Sequence, residues 1–183
     1  MPIHHLLLCD RGGKVLVERF FRTAEDSMEF AGDHGENNKD EWQREMADWR
    51  KKTFQLMRPT WREAFAGTYQ VATVGERYVV YVGAGNVLFS ITGSDDCDEL
   101  GLKEVLETVI EVVCEICFGK KILGKELDED VLLKNFGKVC VGLESIIADG
   151  TVDNLNVELV LLQTKLKDIS KFERTFKSGL GKK

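Results

Sequence analysis

The stretch Cys114-Glu115-Ile116-Cys117 has the CxxC spacing at which two thiolates can share a zinc ion or act as a redox pair. A structural zinc site needs a second such pair, and the chain has none. Cys114 and Cys117 also fall near the end of an apolar run, away from a helix start that would stabilise a thiolate. Core cysteines are the better reading; a small thiol or redox protein using Cys114 and Cys117 is the rival from another class. His4 and His5 are neighbours, so an extended chain sends them to opposite faces, and His34 stands apart in a polar stretch. Gly83-Ala84-Gly85 lacks the GxGxxG spacing and precedes a strand pattern, which removes the dinucleotide reading. No GxxxxGK[ST] or GxSxG occurs. The acidic groups Asp95-Asp96-Asp98-Glu99 and Asp128-Glu129-Asp130 stand where helices should begin, so they read as caps before catalytic pairs. No enzyme, metal site or cofactor is expected.

The elements that would position any site come next. The chain has 183 residues, enough for one domain with a full core. Its net charge of −6 argues against nucleic acid as a main partner. That charge is uneven: from Lys165 onward seven basic residues face Asp168 and Glu173, net +5, which leaves −11 for the rest. Lys171, Arg174, Lys177, Lys182 and Lys183 therefore form a basic tail suited to an acidic partner or an anionic membrane surface. The five cysteines are odd in number and sit mostly inside apolar runs, the usage of free thiols in a reducing compartment. No basic stretch followed by a long apolar core marks a signal peptide. No apolar run approaches the roughly 18–20 residues that span a bilayer.

The opening string HLLLCDRGGKVLVERFF reads as a hairpin. Its first strand is apolar on both faces and so belongs inside a sheet. Asp10-Arg11-Gly12-Gly13 supplies the reversal. Residues 22–40 are polar and poor in aliphatics, a flexible insert. From residue 40 to 58, Trp42, Met46, Trp49, Phe54 and Met57 recur at helical spacing, and Pro59 limits that helix. TYQVATV, RYVVYVGAG and NVLFSITG read as three strands of a meander. Helical stripes follow over residues 100–118 and 128–148, the second stopped by Asp149-Gly150. NVELVLLQTKLK is a further amphipathic segment. The order predicts a five-stranded, mainly antiparallel sheet with helices on both faces.

With that order, the chain resembles the longin-like small chains of vesicle-coat adaptor complexes: the sigma chains of clathrin adaptors, the zeta chain of coatomer and the small chain of the TSET/TPLATE complex. LLLCDRGGKVLVERFF carries the family's apolar strand, Gly-Lys turn and basic-aromatic strand end. YVVYVGAGNVLFSITGSDDCDELGLKEVLETVIEVVCEICFG is similar to its two strands, acidic loop and long helix. NFGKVCVGLESIIADGTV and NVELVLLQTKLK are like its C-terminal helices. The resemblance implies an α/β (α+β) longin-like domain over residues 1–167, with the 22–40 insert, and a basic tail over 168–183. It implies a non-enzymatic small subunit that stabilises a large solenoid chain and works with large and medium subunits. It also implies a cytoplasmic protein, peripheral on vesicle, endosomal, Golgi or plasma-membrane coats. Partner contacts are expected at Val87, Ile110, Leu159, Leu162 and Leu166. Some sigma chains read acidic dileucine signals with an arginine and an asparagine; those places hold Leu16 and Lys120-Lys121 here, so the acid-reading part is not matched, although Arg19 and the lysines stand nearby. A longin-type platform in a tethering or GTPase-regulating complex is the rival within the same class.

Overall fold

The computed structural model describes residues 1–21, 37–93, 97–119 and 126–165. The first reversal forms from the residues that dictate it. Asp10 Oδ1 accepts a hydrogen bond from the Lys14 N–H at 2.8 Å, and Gly13 takes a φ of +86°. This joins β1 (Ile3–Asp10) to β2 (Val15–Phe20). A meander of β3 (Gln70–Val74), β4 (Arg77–Ala84) and β5 (Val87–Gly93) completes the sheet. The strand order is β2-β1-β5-β4-β3 and every pairing is antiparallel.

β1 is thus an inner strand, as its two apolar faces require. Leu6 and Leu8 point into one core, Leu7 and Cys9 into the other, and all four are fully buried. The expectation that His4 and His5 diverge fails. The β1–β5 register slips between Ile3 and His5, an irregularity that turns both rings toward the same helix. The His4 ring lies 4.7 Å from that of Trp49, and His5 reaches Arg50 through Glu18.

One face of the sheet is covered by α1 (Asn37–Met57), a single 3-10 turn (Arg58–Thr60) and α2 (Trp61–Phe65). Residues 37–40 are therefore helical and not part of an insert; residues 22–36 lie outside the described residues. Pro59 limits the helix as expected: α1 ends at Met57, and Pro59 sits in the 3-10 turn that follows, where its missing N–H is tolerated. Only the last part of the aromatic stripe goes deep. Met57 and Ala64 are fully buried against Leu7, Cys9, Val79, Tyr81 and Leu88, whereas Trp42 and Trp49 stay half-buried.

The other face carries α3 (Glu99–Phe118). Its stripe of Leu102, Val105, Leu106, Val109, Val112 and Val113 is fully buried, at about 1.5–3 kcal/mol per side chain removed from water. Asp98 caps the helix, accepting from the Gly101 N–H at 2.6 Å; residues 94–96, also expected as caps, lie outside the described residues.

The single helix expected over residues 128–148 is two helices. Asp128 caps α4 (Glu129–Lys134), and α5 (Phe136–Ile146) follows a break at Asn135. There the Asn135 amide donates to the Val131 carbonyl at 3.0 Å, a local bond that competes with helix continuation. The helix also stops before residue 148. Ile147–Ala148 (β6) and Thr151–Val152 (β7) pair around Asp149 and Gly150, both at positive φ, as a two-residue hairpin turn requires. Last comes α6 (Val157–Thr164).

Candidate partner-binding surface

α6 begins because Asn156 caps it, its side chain accepting from the Leu159 N–H at 3.1 Å. One side of the helix packs on α3 and α5, burying Val160 and Thr164. Beneath it, Gly142 of α5 lets that helix approach α3, since a Cβ there would lie 3.0 Å from Ile116 Cδ1. The other side is left open. Leu159 and Leu162 are 51% and 57% exposed on an eight-residue helix, flanked by the exposed Glu158 and Gln163. Beside them runs a groove of about 640 Å³, walled by Ile116, Val157 and Leu161 and rimmed by Glu111, Glu115 and Lys138. Apolar positions three residues apart on an exposed helical side make a ridge that another helix can pack against.

The residues expected at a partner contact are scattered by the fold. Leu159 and Leu162 lie on this surface. Ile110 is half-buried on α3. Val87 is a correction: at 0% exposure it serves the core beneath α3 and offers nothing to a partner. Leu166, Lys171, Arg174, Lys177, Lys182 and Lys183 lie outside the described residues, as do Lys120 and Lys121. Leu161 and Ile116 went unread in the sequence; the signal was present, since Leu161 stands one turn from Val157, but the packing of α6 on α3 was not legible.

Arg19, which stands near the place of an acid-reading arginine, is committed elsewhere. It pairs with Glu144 and donates to the Cys140 carbonyl at 3.2 Å, tying β2 to α5. Glu18 ties the same strand to the opposite layer. Burial alone would push its carboxyl up, but hydrogen bonds from His5 at 3.1 Å and from Arg50 at 2.7 Å outweigh it and hold the group below its usual value. His5 moves down because burial disfavours its charged form more than Glu18 favours it.

Burial makes the thiols of Cys9, Cys114 and Cys117 weak nucleophiles. Burial, then the neighbouring Cys114 and Asp128, push Cys117 up to about 11; burial also raises Cys114 and takes Cys9 to about 12. All five cysteines are free. The glycines of Gly83-Ala84-Gly85 have packing reasons. A Cβ on Gly83 would meet the Phe65 backbone at 2.8 Å, and one on Gly85 the Leu127 backbone at 2.6 Å.

No protein-family model matches the chain. Among curated proteins it is similar to "TSET complex member tstD" of Dictyostelium discoideum, with 24% identity over 165 residues, 90% of this chain and 93% of that protein. Among solved structures it is similar to a chain described as "Homology model of the full-length AP-3 complex in a stretched open conformation". That match has a TM-score of 0.51 and 15% identity, and it covers 98% of this chain and 99% of the other. The fold is longin-like α+β, and both likenesses run through nine-tenths or more of the chain.

Proposed function

We propose that this longin-like chain is the non-enzymatic small subunit of a heteromeric vesicle-coat or adaptor complex. Its task there is to stabilise a large solenoid subunit alongside a medium one. The likeness to a TSET complex member over nine-tenths of the chain supports the class. The observation that carries the role is the exposed pair Leu159 and Leu162 on an otherwise docked helix. A scattered exposed leucine needs no explanation, but two on one helical side beside a groove with apolar walls and a charged rim support a surface kept for a partner. Obligate interfaces resemble a core cut in half, and helix against helix is the cheapest way to complete one here.

Among the described residues no helix is long and apolar enough to cross a membrane. Membrane contact in this reading comes through the assembled complex, peripherally, at vesicle, endosomal, Golgi or plasma-membrane coats. Dileucine signals are not part of it, because Leu16 replaces the arginine and Arg19 is held by Glu144. The raised thiols of Cys114 and Cys117 offer nothing to a redox role.

The test is native co-purification of the full chain followed by mass spectrometry. Stoichiometric recovery of two large solenoid chains and a medium chain supports the reading. Recovery instead of small paired longin or roadblock chains would replace it with a platform role in a tethering or GTPase-regulating complex.

A further inference from the structure

On the face of the sheet opposite α6, the β1–β2 turn, the end of α1 and α2 line a groove of about 740 Å³, continued past Trp61 by another of about 520 Å³. Its rim carries Arg11, Lys51, Arg58 and Arg62, all exposed. Its floor carries Phe54, Trp61 and Phe65, half-buried, with ring centroids 6.1 and 5.7 Å apart. The floor is built in advance: the Trp61 indole N–H donates to the Arg11 carbonyl at 3.2 Å, and the Arg11 guanidinium lies 4.9 Å above the Phe65 ring.

The rim cations have no carboxylate partner among the described residues, whereas several others do: Lys14 with Glu129, Arg19 with Glu144, Arg50 with Glu18, Lys103 with Glu107. Arg58 and Arg62 have no ion pair among the described residues. Lys51 has no ion pair among the described residues, and the nearby Asp48 carboxylate is held by Lys52 at 2.8 Å. Asp10, at the turn, accepts from the Lys14 N–H and keeps its negative charge, so the rim is net positive rather than free of anions. In a chain of net charge −6, four such cations around one aromatic groove are a local reversal of sign.

We propose that this groove binds an acidic linear segment of a partner protein, with carboxylates on the guanidinium rim and an aromatic side chain on the floor. Guanidinium forks match carboxylates bidentately, and stacked rings favour an aromatic guest. A flat bilayer would touch the rim and leave the sunken rings unused. The chain's overall negative charge also opposes an anionic membrane surface, while a short peptide feels only the charges within about 8 Å. The two depressions share Arg11, Arg58 and Trp61, so the groove is elongated and suits an extended chain. Because α6 lies across the sheet, both surfaces can be filled at once.

The experiment is fluorescence polarisation of the full chain with a dye-labelled peptide Glu-Asp-Glu-Trp-Glu-Asp, beside the same peptide with Ser for Trp. Binding should weaken with salt, weaken again with Ser, and fall on the order of tenfold per guanidinium in Arg58→Glu and Arg62→Glu. Both side chains are exposed, so near-UV circular dichroism should match the parent. Arg44→Glu/Lys134→Glu, exposed cations outside both grooves, serves as the charge-matched control and should leave binding unchanged. Equal loss in that control, or no loss in Arg58→Glu/Arg62→Glu, overturns the proposal. So does binding to phosphatidylserine vesicles through Arg58 and Arg62 with no affinity for the peptide.

Discussion

Glu18 shows how one side chain can join layers. It receives hydrogen bonds from His5 on β1 and Arg50 on α1, while the next residue, Arg19, reaches Glu144 on α5. Glu18→Gln keeps the shape and removes the anion, and is expected to cost about 1.5–3 kcal/mol in urea unfolding. The pH dependence has a definite sign. His5 titrates below its ordinary 6.5 in the folded state, so the unfolded chain takes up the proton first and stability falls as pH drops below 6.5. Glu18 is also depressed, from 4.5, so its contribution is lost as pH falls below that value. The melting temperature should therefore decline from neutral pH toward about pH 5, and His5→Gln should flatten the upper part of the decline. A flat parent profile above about pH 5 would show that His5 is not so perturbed. Leu106→Asp places an unpaired carboxylate in the fully buried stripe of α3, and loss of soluble folded protein is expected. At this scale the sequence was informative about burial, since the apolar stripe of α3 is set by its own periodicity. It was silent about Glu18 and Arg19, whose partners come from distant segments.

Elements were legible where local chemistry decides them and illegible where a long-range contact does. The Asp10–Gly13 turn and the cap at Asp128 follow from a few neighbouring residues. The break at Asn135 and the register slip at His4 do not, because an apolar stripe continues across the first and a strand apolar on both faces carries no alternation to mark the second. Turns offer a clean contrast. Gly75 and Gly85 both have positive φ, so alanine strains either by about 1 kcal/mol. At Gly75 a Cβ would meet nothing within 4 Å, whereas at Gly85 it would strike the Leu127 backbone at 2.6 Å. Gly85→Ala should lower the melting temperature clearly more than Gly75→Ala; equal effects would mean that the segment around Leu127 yields freely. For α6 the amphipathic pattern was readable in NVELVLLQTKLK, but which leucines face outward was fixed only by its docking on α3 and α5.

At the scale of the whole molecule, the sheet is a wall with two differently finished sides. α1 and α2 close one side and leave a cationic aromatic groove; α3, α5 and α6 close the other and leave exposed leucines. The order of elements was enough to place five strands and two helical layers, because each inner strand needed cover on both faces. It was not enough to show Val87 sealed beneath α3, which the fold alone decides. The reading as a coat small chain rests on the leucines of α6 being covered in the cell and bare in isolation. The direct measurement is a paired one on Leu159→Ser/Leu162→Ser: quantitative co-purification of large chains, and thermal unfolding of the isolated protein. Both side chains are more than half exposed, so unfolding should match the parent closely, while recovery of large chains should drop at least about tenfold, as expected when central contacts of an interface are removed. Unchanged recovery of those chains by the doubly substituted protein would contradict the assignment of α6 as the partner-binding surface.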